Sequence, residues 1–122
     1  MTQGMPDYQP WCTFCRIVNG EAPAEILYQD DLVTAFRDIH PQAPTHVLVV
    51  PNWHIRTVSS MTPDDAELMG RMLTVANRLA DEEGIARSGY RLVINNGPQA
   101  GQSVNHLHLH LLGGRRLGWP PG

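Results

Sequence analysis

Three histidines recur at every second residue in His106-Leu107-His108-Leu109-His110-Leu111. Strict alternation is the pattern of a β-strand, whose side chains change face at each residue. His106, His108 and His110 are therefore expected on one face, with Leu107, Leu109 and Leu111 packed on the core behind them. Two strand residues span about 6.6 Å, so neighbouring rings can meet one small anion or metal ion. Three uses compete. The first is a solvated edge face. The second is a three-histidine metal site for hydrolysis. The third is work on a phosphate, in which a neutral imidazole attacks and a neighbouring imidazolium stabilises developing charge. The preceding residues favour the third. Gly97-Pro98-Gln99-Ala100-Gly101-Gln102-Ser103 is a glycine-containing loop that enters the histidine strand. Its backbone N–H groups, the Gln102 amide and the Ser103 hydroxyl can cradle phosphate oxygens.

A second constellation is Cys12-Thr13-Phe14-Cys15. Its C-x-x-C spacing suits half a zinc site, a redox pair or two unrelated reduced thiols. No second C-x-x-C completes a four-cysteine site. No strand–helix–strand pattern of the thioredoxin kind surrounds the pair, so redox work is the least favoured use.

Glycine and proline divide the chain into the elements that must hold these groups. Cys12 to Val18 suits one or two helical turns, ended by Asn19-Gly20. Glu25–Gln29 and Leu32–Phe36 read as strands of a hairpin around Asp30-Asp31. His46–Val50 reads as a buried strand ended by Pro51. Thr62-Pro63-Asp64-Asp65 is a helix start, with Thr62 as cap and the carboxylates at the positive end of the dipole. Leu68, Met69, Met72, Leu73, Ala76, Leu79 and Ala80 continue it at helical spacing until Gly84. Tyr90–Ile94 and Val104–Leu112 are the last strands, and 113–122 is a glycine- and proline-rich tail. The expected class is α+β, an antiparallel sheet of about five strands covered by one long helix, with a short N-terminal helix.

At 122 residues the chain has room for one domain. Residues 1–11 are expected to form a flexible arm without a signal-peptide pattern, and 12–122 the domain with its tail. The net charge of -3 excludes a nucleic-acid or anionic-membrane partner held by charge alone. All nine basic residues are arginines, which excludes Schiff-base chemistry and a lysine-dependent phosphate loop. Two cysteines make no disulfide framework, so an intracellular, cytoplasmic setting is expected. The longest apolar run, Val47–Val50, is far short of a membrane span.

From Gly101-Gln102-Ser103-Val104-Asn105 through His106-Leu107-His108-Leu109-His110-Leu111-Leu112, the sequence resembles the signature of the histidine triad (HIT) superfamily. Asp38-Ile39, Pro41-Gln42-Ala43-Pro44-Thr45-His46 and Trp119-Pro120-Pro121-Gly122 are similar to its Hint-like branch, the histidine triad nucleotide-binding proteins. The likeness runs from Cys12 to the C-terminus.

The resemblance implies a HIT fold whose sheet continues across a homodimer. It also implies a purine nucleotide-binding hydrolase or nucleotidyl transferase. Such an enzyme cleaves nucleoside 5'-phosphoramidates, or related AMP conjugates, through a covalent nucleotidyl-histidine. On this likeness His108 is the nucleophile, His110 contacts phosphate oxygens and His46 extends the imidazole network. Ser103, Gly101 and Gln102 hold the phosphate and help the leaving group. Asp38, which alone reads as a turn former, would meet the ribose hydroxyls of AMP or GMP; Asn95 would line the site. Ile17, Ala22 and Ile39 would enclose the purine, and Trp119 would reach the partner subunit's site. His40 matches no role and reads as a loop residue.

The resemblance also implies a structural zinc on Cys12, Cys15, His54 and His106, with no metal needed for the chemistry. One departure is Asn105, where relatives usually carry an aromatic residue; alternation puts it on the face of Leu107. A nucleotide-binding regulatory module without catalysis is the alternative of another class. Dinucleoside polyphosphate cleavage is the alternative within the superfamily, and the Trp-Pro-Pro-Gly tail leans away from it.

Overall fold

The computed structural model describes residues 7–122. The elements are α1 (Thr13–Val18), β1 (Ile26–Gln29), β2 (Val33–Arg37), β3 (Thr45–Pro51), α2 (Ala66–Glu82), β4 (Tyr90–Val93) and β5 (Leu109–Gly113). Short 3-10 turns lie at Val58–Ser60, Pro63–Asp65 and Pro98–Ala100. The strands form one sheet in the order β1-β2-β3-β5-β4, and each neighbouring pair is antiparallel. The α+β expectation holds.

Local chemistry accounts for the helix ends. The Thr62 hydroxyl accepts the Asp64 N–H while the Asp65 carboxylate accepts the Thr62 N–H, a reciprocal cap that starts α2. Gly84, at φ +76°, supplies the left-handed residue that stops it. The buried stripe is Leu68, Met72, Val75, Ala76, Leu79 and Ala80. Leu73, expected in that stripe, is exposed instead, and Val75 faces inward. In α1 the sulfur of Cys12 accepts the Cys15 N–H at 3.4 Å, so the first cysteine caps the turn that carries the second.

The sheet is covered on both sides. α2 packs on Val33, Ala35, Val47, Val49, Leu107, Leu109 and Leu111. On the other side, Phe14, Cys15 and Ile17 of α1 meet Phe36, Leu48 and Val50. Strand β3 is therefore buried along its whole length.

The final strand is shorter than expected. It begins at Leu109, not Val104, because strand pairing starts only there: Leu109 faces Val49, and from His110, which faces Leu48 and Val93, partners lie on both sides. Upstream, the Leu107 N–H is taken by the Ile55 carbonyl at 2.6 Å, outside any sheet. Side-chain alternation survives nonetheless. The leucines lie in the α2-side core, and the rings of His106 and His108 both meet Phe14 on the α1 side. Asn105 does not follow Leu107 inward. The chain bends over 104–106, leaving Asn105 exposed in a hollow of 360 Å³ with Arg56, Thr57 and Gln102.

Of the expected arm, residues 1–6 lie outside the described residues. Beyond them, the Tyr8 hydroxyl donates to the Glu21 carboxylate and the Gln9 carbonyl accepts the Cys12 N–H. Trp11 sets its ring edge-on to His54 at 5.2 Å.

Candidate active site

His108 is nine-tenths buried or more, and its ring protonation is fixed by the backbone. Its Nδ1 lies 2.7 Å from the His106 carbonyl, which can only accept, so Nδ1 carries the proton and Nε2 keeps its lone pair. A second chain of bonds fixes the other two rings. The Gln42 N–H donates to His46 Nδ1 at 3.0 Å, so the His46 proton sits on Nε2. That Nε2 is 2.9 Å from His110 Nδ1, which must accept and leaves its own proton on Nε2. His110 Nε2 is buried and finds no partner among the described residues. The rings of His108 and His110 are 4.9 Å apart at their centroids.

Burial keeps these imidazoles uncharged. It pushes His110 down to about 4 and lowers His108 and His46 below the ordinary histidine value. For His46 the Asp38 carboxylate, 3.4 Å from Nε2, opposes that shift. Asp38 also accepts the His40 N–H at 2.8 Å, so it closes its own turn and still presents a carboxylate to the site.

A cavity of about 300 Å³ opens over these rings, a size at the lower end for small-molecule sites. Ile17, Asp38, Ile39, Ser103, His108 and His110, all picked out from the sequence, line it. His46 stands one ring behind, against His110. Ala22 packs on the α1 cluster, while Pro23 and Ala24 line the cavity wall. Asn95, Gly101, Gln102 and Trp119 are not among the lining residues.

The Gln102 amide holds its loop instead. It donates to the Arg56 and Val104 carbonyls at 2.8 and 3.0 Å and accepts the Gly97 N–H at 2.9 Å. Sequence reasoning missed Phe14, Val104 and His40 on the cavity wall. The signal for Phe14 lay in its place between the two cysteines of one short helix.

Ile39 is 80% exposed, an unusual place for a large aliphatic side chain. It stands at the rim of the cavity, where a planar base could cover it.

Cys12, Cys15, His54 and His106 converge on the far side of α1, their ligand atoms all within 4.8 Å of one another. His106 Nε2 donates to the Pro51 carbonyl at 3.1 Å, which turns its Nδ1 lone pair toward the thiols. That nitrogen is 3.3 Å from Cys12 Sγ and 3.6 Å from Cys15 Sγ; His54 Nδ1 is 3.5 Å from Cys15 Sγ. A tetrahedral zinc with ordinary bond lengths has S···N edges of about 3.6 Å. The donor set and spacing fit zinc, and the carbonyl on His106 is the outer partner such a ligand needs. Burial pushes the Cys15 thiol up to about 11 and His106 down to about 4, so without a cation these two groups are neutral.

The three triad imidazoles thus do not converge on one point. His106 turns to the thiols, while His46 and His110 are 2.9 Å apart. That spacing is a hydrogen bond, shorter than the N···N edge of about 3.3 Å around a shared zinc. The three-histidine metal site is not the arrangement this sequence folds into.

A family model described as the HIT domain matches residues 19–117. The purine nucleoside phosphoramidase of Escherichia coli K12 is 55% identical over 105 residues, covering 86% of this chain and 88% of the relative. The crystal structure of a HIT family hydrolase from Legionella pneumophila superposes with a TM-score of 0.89 at 51% identity, covering 91% of this chain and 99% of that one. A Zn-bound histidine triad family protein from Mycobacterium smegmatis superposes at 0.75 with 33% identity, over 92% and 80% of the two chains. With most of its length matched by the family model and by solved HIT structures, and its buried imidazole chain in place, this protein belongs to the HIT domain family.

Proposed function

We propose that the protein hydrolyses purine nucleoside 5'-phosphoramidates to the nucleoside monophosphate and an amine. The observation that carries this reading is the His108 Nδ1–H bond to the His106 carbonyl at 2.7 Å. It leaves Nε2 unprotonated in a ring on the cavity wall, the form in which imidazole is a nucleophile. In the first step His108 Nε2 forms a bond to the α-phosphorus and the P–N bond to the amine breaks. The departing nitrogen takes a proton, for which the Ser103 hydroxyl on the cavity wall is a candidate donor, and the water of the second step returns a proton to it. In the second step water attacks the same phosphorus, the P–Nε2 bond breaks, and the nucleoside monophosphate leaves with His108 restored. The buried His110 Nε2–H faces developing negative charge on the phosphate oxygens. Asp38 accepts from the ribose hydroxyls, and Ile17 and Ile39 enclose the base.

Zinc on Cys12, Cys15, His54 and His106 would act as a closed structural site, pinning α1 to the sheet. The family likeness supports a homodimer in which Trp119, 82% exposed in one protomer, is covered by the partner and shapes specificity. Among the described residues no helix is long and apolar enough to cross a membrane; the cytoplasm is the proposed setting.

The test is His108→Ala with an adenosine phosphoramidate, followed by rapid-quench mass spectrometry of the parent. Turnover lost in the variant with AMP binding retained, and a nucleotidyl adduct on His108 in the parent, are expected. Undiminished turnover in the variant would eliminate the proposal.

A further inference from the structure

We propose that Arg115 is a positioning residue for the imidazole chain, holding the main chain at Gln42, whose N–H fixes the ring protonation of His46 and, through it, of His110. Arg115 lies in the segment after β5 and does not line the cavity. Its Nε and Nη2 donate together to the Gln42 carbonyl at 3.3 and 2.9 Å, while Nη1 donates to the Arg116 carbonyl at 2.8 Å. The guanidinium is thereby locked in one plane across residues far apart in sequence.

Gln42 belongs to no helix or strand, so regular backbone pairing does not hold it. Its carbonyl goes to Arg115 and its N–H to His46 Nδ1 at 3.0 Å. The same segment presses on this loop a second time. Gly114, at φ +91°, approaches Pro44 so closely that a Cβ there would lie 2.9 Å from the Pro44 Cβ.

The order of dependence follows from donor and acceptor roles. With the Gln42 N–H held in place, His46 Nδ1 must accept, its Nε2–H must point at His110 Nδ1, and the His110 proton must sit on Nε2. Without Arg115 the Gln42 carbonyl loses both bonds and the main chain there can turn its N–H away from His46 Nδ1, leaving the proton position on His46 to the longer Asp38 contact at 3.4 Å. The His110 Nε2–H would lose its fixed direction while the cavity walls stayed in place. The consequence falls on the rate of the chemical step more than on substrate capture.

The kinetic arm of the test rests on the hydrolase reading; the spectroscopic arm does not. Arg115→Ala, Arg115→Lys and, as a control, Arg116→Ala are compared with the parent in kcat and KM for an adenosine phosphoramidate. The ring nitrogens of His46 are followed by NMR in protein labelled with ¹⁵N-histidine. Arg115→Ala is expected to lower kcat about tenfold and to leave KM within about twofold. The His46 Nδ1 signal should leave its unprotonated, hydrogen-bond-accepting position. Arg115→Lys, with one donor left for the Gln42 carbonyl, should recover part of both effects, and Arg116→Ala should match the parent. Should the alanine variant fold poorly, the lysine variant is read by the same two measures. An unchanged His46 signal, or a loss confined to KM, would overturn the proposal. A parent without turnover would defeat the hydrolase reading and leave the nitrogen signals to judge Arg115.

Discussion

Adding zinc to the reduced, chelator-stripped protein is expected to raise its melting temperature by about 15 °C. The four candidate ligands come from three separate segments, with His54 and His106 lying 39 and 91 positions from Cys15. The unfolded chain does not bring these together, so the ion binds the native form in preference. Binding to the native form alone stabilises by about 4 kcal/mol when free zinc exceeds its dissociation constant a thousandfold. The unfolding entropy of a chain of 122 residues, at about 2.1 cal/mol/K per residue, converts that energy to the stated shift. Residual capture by Cys12 and Cys15 in the unfolded chain would reduce it, because two residues between thiols suffice to hold an ion loosely. The assay is a thermal melt with and without zinc, paired with a chromogenic measure of one ion per chain. His54→Ala, which removes one ligand without touching the nucleotide cavity, should lose most of the gain. Identical melting of the stripped and zinc-treated protein would refute the reasoning, since the donor geometry predicts a closed site.

Two further outcomes follow from single residues. Ile39→Ser removes a side chain that is 80% exposed. Melting should therefore stay unchanged while the dissociation constant for AMP rises about tenfold, the worth of burying one aliphatic side chain against the base; unchanged affinity in a titration would contradict its place on the cavity wall. His110, held at about 4 by burial, gives a signed pH dependence. Its folded value lies below the ordinary histidine value near 6.5, so the unfolded chain binds the extra proton first and stability falls as the pH drops from 6.5 toward 4. Its share of the slope is at most about 1.4 kcal/mol per pH unit. Urea melts of the parent and His110→Asn across that window should show a shallower slope in the variant; equal slopes would remove His110 as the source.

The facing of the histidine segment was legible in the sequence, whereas its pairing was not. Alternation reports which way side chains point, and that held from His106 to Leu111. It does not report whether a neighbouring strand exists, and before Leu109 none pairs with it, so the strand begins there. The cap at Thr62 and the stop at Gly84 are local, and both were readable. Leu73 has the right spacing for the buried stripe yet faces outward, because the width of that stripe depends on the sheet beneath it. The spacing of Cys12 and Cys15 admitted half a zinc site, a redox pair or two reduced thiols, and did not choose among them. Their partners His54 and His106 could be chosen only through family resemblance, since tertiary folding brings them near. Gln102 looked like a phosphate donor because amides suit phosphate, but its three bonds all hold the surrounding loop. Arg115 left no trace in the sequence, because the group it binds is a main-chain carbonyl that any residue would supply.

The short helix α1 has a cluster of thiols and imidazoles at one side and a nucleotide-sized cavity at the other, with the Phe14 ring against both His106 and His108. Thermodynamics makes such a shared wall symmetric. Whatever factor an ion adds to the grip on a nucleotide, the nucleotide must add to the grip on the ion. Should an ion at the thiols tighten the grip on a purine monophosphate, each occupant would then report on the supply of the other.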